Sequence, residues 1–131
     1  MPGIRTGHAS DGKLATAISN MVVQALRHYT GRGPTRSRTY IHDQLISVVL
    51  QGTLTRAERR LVADGKSDLV LHTRKAFQGL MRADLVAGVE ALTGRRVIAF
   101  LGSNSIDPDV NVESFLLAPD ANTEDRTSAP A

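Results

Sequence analysis

The chain has no cysteine and no tryptophan, and its aromatic residues stop at two tyrosines and three phenylalanines. Without cysteine there is no disulfide, no thiolate metal site and no cysteine nucleophile, which is compatible with a reducing cytoplasm. With so few aromatics the core must be mostly aliphatic, and exposed rings on which nucleic-acid bases could stack are expected to be lacking. No apolar run approaches the ~20 residues that a membrane-spanning helix needs. The opening MPGIRTGHASDGK has no apolar stretch of the secretory type, so no signal peptide is expected. Chemical signatures are missing as well. There is no G-x-x-x-x-G-K-[ST] phosphate loop, no G-x-S-x-G turn and no H-E-x-x-H. His8, His28, His42 and His72 include no i,i+4 pair. These absences predict a protein that is not an enzyme and carries no metal or cofactor.

What is present is one domain's length, 131 residues, of which 41% are hydrophobic. A chain of this size buries roughly two-thirds of its unfolded surface, enough for independent stability. The formal charge is +3, and Lys13, Lys66 and Lys75 are the only lysines among the 16 bases. The segment Pro119–Ala131 holds the acids Asp120, Glu124 and Asp125 against Arg126 alone. The rest is therefore mildly basic, short of the strong excess of a dedicated nucleic-acid binder.

Leu14, Ala17, Ile18, Met21, Val22, Ala25, Leu26 and Tyr29 repeat at steps of three and four. That spacing predicts a helix from Asp11 to Tyr29, stopped by Gly31-Arg-Gly-Pro34. Thr35–Ile41 reads as a strand, His42-Asp43 as a turn and Gln44–Gln51 as a second, central strand with apolar residues on both faces at Val48 and Val49. Thr55 followed by Glu58 has capping-box spacing and opens a short helix to about Val62. A long helix spans Ser67–Leu92, with Val70, Phe77, Leu80, Met81, Leu85, Val89 and Leu92 inward. On that reading Leu80→Ala and Phe77→Ala are costly, while changes at Ser67 and Arg74 are silent. Val97–Leu101 and Val110–Leu117 are strands around a polar loop, Gly102–Pro108. Residues 1–10 and 119–131 read as disordered, leaving a single domain over 11–118.

The order α-β-β-α-α-β-β specifies an α+β fold of two layers, with a largely antiparallel sheet of about four strands and its helices on one face. The other face of the sheet then lies bare, and a second copy is the simplest cover, so a homodimer through the sheet or the long helix is expected.

Three constellations carry candidate chemistry. Arg27, Arg32, Arg36 and Arg38 fall within twelve positions that contain no acid, and could form a site for an anion, a nucleotide or an acidic partner. The competing account is a solvated basic face. Asp107, Asp109, Asn111 and Glu113 alternate as calcium ligands can, but no glycine supplies the tight turn, and Val110 and Val112 read as strand. The opening element order (helix, two strands, two helices, strand) also resembles type II KH modules. Their G-x-x-G loop fails here at Ala63-Asp-Gly-Lys-Ser67, so no nucleic-acid partner is expected.

Several stretches together resemble a known family. They are Gly31-Arg-Gly-Pro34, Tyr40-Ile-His-Asp43, Leu50-Gln-Gly-Thr-Leu-Thr-Arg-Ala-Glu58, Leu92-Thr-Gly-Arg-Arg-Val-Ile-Ala-Phe100 and Asp107-Pro-Asp109. The chain is thereby similar, from about Leu14 to Leu117, to the MpsC-like family of small bacterial proteins. That family is named for a Na+-translocating, membrane-potential-generating system and is linked elsewhere to bicarbonate uptake. The resemblance implies a non-catalytic accessory or regulatory protein acting through protein contacts, with a membrane transporter subunit as partner. It implies a cytoplasmic location, at the inner membrane face through that partner, and it brings no catalytic residues to carry over.

Overall fold

The computed structural model describes residues 2–119, and their side chains from Asp11 onward. The expected disorder of the tail therefore lies, from Asp120, outside the described residues, as do the side chains of residues 1–10. Seven elements follow in the order α1 (Pro2–Thr30), β1 (Arg36–His42), β2 (Leu45–Gln51), α2 (Arg56–Ala63), α3 (Ser67–Thr93), β3 (Val97–Ser105) and β4 (Val110–Leu117). The strands form one antiparallel sheet ordered β1-β2-β4-β3, with α1 and α3 packed on one face. The α+β architecture is the one that the element order specifies.

The two central strands explain the layering. In β2, Ile46, Val48 and Leu50 are buried, and in β4 the alternate residues Asn111, Glu113, Phe115 and Leu117 are buried with them. Successive side chains point to opposite faces, so these positions all meet the helices. Ile18, Val22 and Leu26 of α1 and Met81, Leu85 and Val89 of α3 complete an aliphatic core around Phe115. At Gly88 the two helices come so close that a Cβ would sit 2.6 Å from the Met21 sulfur.

Register lines the covered face up in three rows across all four strands. Ile41, Ile46, Phe115 and Phe100 form the first; Thr39, Val48, Glu113 and Gly102 the second; Ser37, Leu50, Asn111 and Asn104 the third. Apolar chemistry at one end thus gives way to polar chemistry at the other. The bare face carries the intervening residues.

Four readings need correction. Helix α1 begins at Pro2 and not at Asp11, because proline is accommodated in a first helical turn and no breaker separates it from the apolar stripe. The hairpin turn is Asp43-Gln44 and not His42-Asp43, because His42 pairs with Leu45 and Asp43 takes the left-handed conformation at φ 53°. A short polar side chain such as Asp tolerates that region better than most. Strand β3 runs four residues past Leu101, since pairing with β4 recruits Gly102–Ser105 despite their turn-forming composition. Most consequential is the rotation of α3. Leu80 is 63% exposed and Leu92 40%, and Phe77 is only half-buried. The core-facing row runs Val70, Arg74, Gln78, Met81, Leu85 and Val89, in helical steps of three and four, so Arg74 belongs to it and is not a silent surface position. Leu80 lies off that row and leaves no core volume when truncated.

Candidate functional sites: an open sheet face and a polar cavity

The four arginines singled out by sequence do not share one place. Arg27 ends α1 on the helical side and lies along Gly33, where a Cβ would come 2.7 Å from its Nε. Arg32 follows in the connection to β1, and its Nη2 donates to the Gly52 carbonyl at 3.2 Å. Arg36 and Arg38 lie on the open face of β1. There they line a shallow hollow of about 190 Å³ with Tyr40, Val49 and Gln51. The Arg38 guanidinium stands 5.4 Å from the centre of the Tyr40 ring, a cation–π distance.

That hollow is the basic edge of a wider surface. The open face holds the rows His42, Leu45, Leu116, Ala99; Tyr40, Ser47, Ser114, Leu101; Arg38, Val49, Val112, Ser103; and Arg36, Gln51, Val110, Ser105. Leu101 is 65% exposed, Tyr40 52% and Leu45 42%, so the Tyr40 ring corrects the expectation that exposed aromatic rings are lacking. None of these sixteen strand positions is Asp or Glu. The surface is apolar at its centre, basic along β1 and hydroxyl-bearing along β3.

The opposite face builds a different site under its polar end. Thr55 caps α2: its hydroxyl accepts from the Glu58 amide at 3.1 Å, and the Glu58 carboxylate accepts from the Thr55 amide at 2.8 Å. Glu58 also takes a forked pair from Arg74, Nε at 2.9 Å and Nη2 at 2.8 Å. The remaining Arg74 nitrogen, Nη1, donates to Thr53 Oγ1 at 2.6 Å and Asn111 Oδ1 at 3.3 Å. Burial alone raises the Glu58 carboxyl, but the Arg74 guanidinium and the Thr55 amide outweigh it and hold the group below its ordinary value. Asp109 fastens the same loop from β4's side, accepting from the amides of Thr53 at 3.1 Å and Leu54 at 3.0 Å.

One strand row further in, Gln78 Nε2 donates to both oxygens of Glu113 at 2.9 Å. Glu113 is 3% exposed, and burial pushes its carboxyl up to about 7, with the Gln78 hydrogen bond opposing part of the rise. The pair has room because Gly102 faces it across the β3–β4 ladder. A Cβ there would collide with the Gln78 amide and reach within 2.6 Å of Glu113 Oε2. Together these groups line a cavity of about 240 Å³, whose apolar walls are Leu26, Tyr29, Phe77 and Met81.

The family model described as Na+-translocating membrane potential-generating system (MpsC) matches residues 10–119. This chain belongs to the MpsC family. No curated protein and no solved structure matches it. Two of the motifs that carry the MpsC resemblance have structural work in this member. Gly52-Thr-Leu-Thr-Arg-Ala-Glu58 is the turn and capping box that supply Thr53 and Glu58 to the network, and Gly52 needs its positive φ of 68° there. Leu92-Thr-Gly-Arg-Arg-Val97 is the end of α3, where Gly94 takes the left-handed cap, and the entry to β3. Among the described residues no helix is long and apolar enough to cross a membrane.

Reading the sequence for ligand-like spacings missed the cavity. Its signal was present as a mismatch: Arg74 and Gln78 sit in the apolar row of α3, and Asn111 and Glu113 sit at the inward positions of a strand that ends in Phe115 and Leu117. Polar residues at core register on two elements mark a buried network, because each needs a partner.

Proposed function

We propose that this MpsC-family protein is a non-catalytic accessory or regulatory component of a membrane cation-translocating system. It acts by docking its open sheet face onto a segment of a partner protein that joins apolar side chains to carboxylates. The observation that supports this reading is the composition of that face: exposed Leu101, Tyr40 and Leu45 beside Arg36 and Arg38, with no acid on it. An apolar surface bordered along β1 by arginines is what a contact site for such a segment requires. A second copy, the occupant expected from sequence, brings no carboxylate to the two arginines when like faces meet.

Sedimentation with membrane vesicles tests the proposal. The purified chain is expected to pellet with vesicles from its own cells at low salt. Pelleting should be lost at high salt, after protease treatment of the vesicles, and on replacing Arg36 and Arg38 with alanine. Exposed charge pairs of this kind weaken as the Debye length falls from ~10 Å at 0.1 M to ~3 Å at 1 M salt. Binding that survives protease treatment points to lipid and overturns the reading. So does a dimer in solution that Leu101→Ser dissociates, because a second copy then covers the face.

A further inference from the structure

We propose that the cavity between α3 and the polar end of the sheet binds a small organic cation, an amine or amidine carried on a body of about one ring. Glu113 serves as its counter-charge. The cavity measures about 240 Å³, larger than the ~150 Å³ apolar cavity that accepts benzene, so one ring and a cationic head fit together. Leu26, Phe77 and Met81 offer that ring an apolar wall.

The charges of the lining decide the sign of the ligand. Arg74 has four of its five N–H groups engaged: Nε and Nη2 each donate to Glu58, and Nη1 donates to Thr53 and Asn111. An anion entering the cavity meets a guanidinium whose charge Glu58 already balances, with a single Nη2 hydrogen left over. Glu113 is in the opposite position. Its only hydrogen-bond partner among the described residues is the neutral Gln78 amide, and no cationic nitrogen lies within 4.0 Å of it. A carboxylate uncompensated by protein charge, nearly removed from water and lining a cavity, gains most from a cation that arrives with the ligand. The other ionisable groups at the cavity are already committed. Glu58 pairs with Arg74 and Tyr29 donates to Asp84 at 2.7 Å, while Asp109, outside the lining, holds the amides of the β2–α2 loop. Titration near neutral pH is thus left to Glu113, which burial raises to about 7.

The probes are benzamidine, cationic throughout the range used, and benzamide, its neutral relative of the same shape. Calorimetric titration of the full chain at pH 8 is expected to give benzamidine at least tenfold the affinity of benzamide. Lowering the pH to 6 should cost benzamidine about tenfold, since Glu113 must then lose a proton to bind, and should leave benzamide unchanged. The Met81 methyl resonance should shift on benzamidine addition, which places the ligand without any mutation. Glu113→Gln, which keeps an oxygen and the size of the side chain, should abolish the preference for the cation. Equal affinity for the two probes overturns the proposal, as does a pH-independent preference, an unmoved Met81 methyl, or no benzamidine binding up to millimolar concentration.

Discussion

The two faces of the sheet spend their polar residues in opposite ways. On the covered face, arginine, glutamate, glutamine and asparagine are folded into the protein, each meeting a partner: Arg74 with Glu58, Thr53 and Asn111, and Gln78 with Glu113. On the open face, Arg36 and Arg38 line a hollow with Tyr40, Val49 and Gln51, and Leu45 and Leu101 leave 42–65% of their surface to solvent. Charge matched within the fold contributes to its stability, whereas charge and apolar surface left unmatched are available to something outside. Mutations should therefore separate, with stability tracking the covered face and association with a protein partner the open one; Glu113, matched only by a neutral amide, is the exception on the covered face.

The largest effect is expected where the covered face is apolar. Phe115 is fully buried at the centre of the core, and Phe115→Ala should cost about 3–5 kcal/mol in denaturant unfolding through lost burial and the cavity left behind. Next comes the polar end. Arg74→Ala strands the partly buried Glu58 without its cation and should cost about 2–4 kcal/mol, with Arg74→Lys recovering only part because one ammonium cannot reproduce the fork.

That ordering inverts what the sequence suggested for α3. The helix, its length and its stop at Gly94 were all legible from spacing and capping chemistry, as were the capping box at Thr55 and both central strands. Its rotation was not. Counting Leu80 with the stripe and leaving Arg74 out follows from treating apolarity as the sign of burial. Here the register demanded by Val70, Met81, Leu85 and Val89 carries two polar side chains inward instead. The cavity escaped notice for the same reason: Glu113 gains its character from Gln78, thirty-five positions away, and from the absent side chain of Gly102 across the ladder. The Arg27–Arg38 run was visible at once, but sequence proximity concealed that its members divide between the α1–β1 connection and the open face of β1.

A smaller effect has a sign that pH reveals. Glu113 binds its proton more tightly folded, at about 7, than its ordinary value of 4.5. The wild-type chain should lose stability as pH rises from about 4.5 to 7 and level off above it, as far as this group is concerned. Glu113→Gln removes that loss and should be more stable than wild type by about 1–3 kcal/mol at pH 8, with little difference at pH 4. Equal stability at both pH values would show that Glu113 carries no burial penalty. Smallest of all is Leu80→Ala, expected within about 0.5 kcal/mol of wild type because the side chain stands in solvent.

Leu80 and Leu101 supply the most direct test of the difference between the faces. They are equally exposed, at 63% and 65%, one on α3 and the other on the open face of the sheet. A photoreactive residue placed at each in turn, and activated in intact cells, compares the two surfaces in the same protein. Position 101 should crosslink to a membrane protein, in a yield that falls when Arg36 and Arg38 are replaced with alanine, while position 80 gives no specific product. Equal crosslinking from both positions, or crosslinking from position 80 alone, would contradict the assignment of the open face as the contact surface.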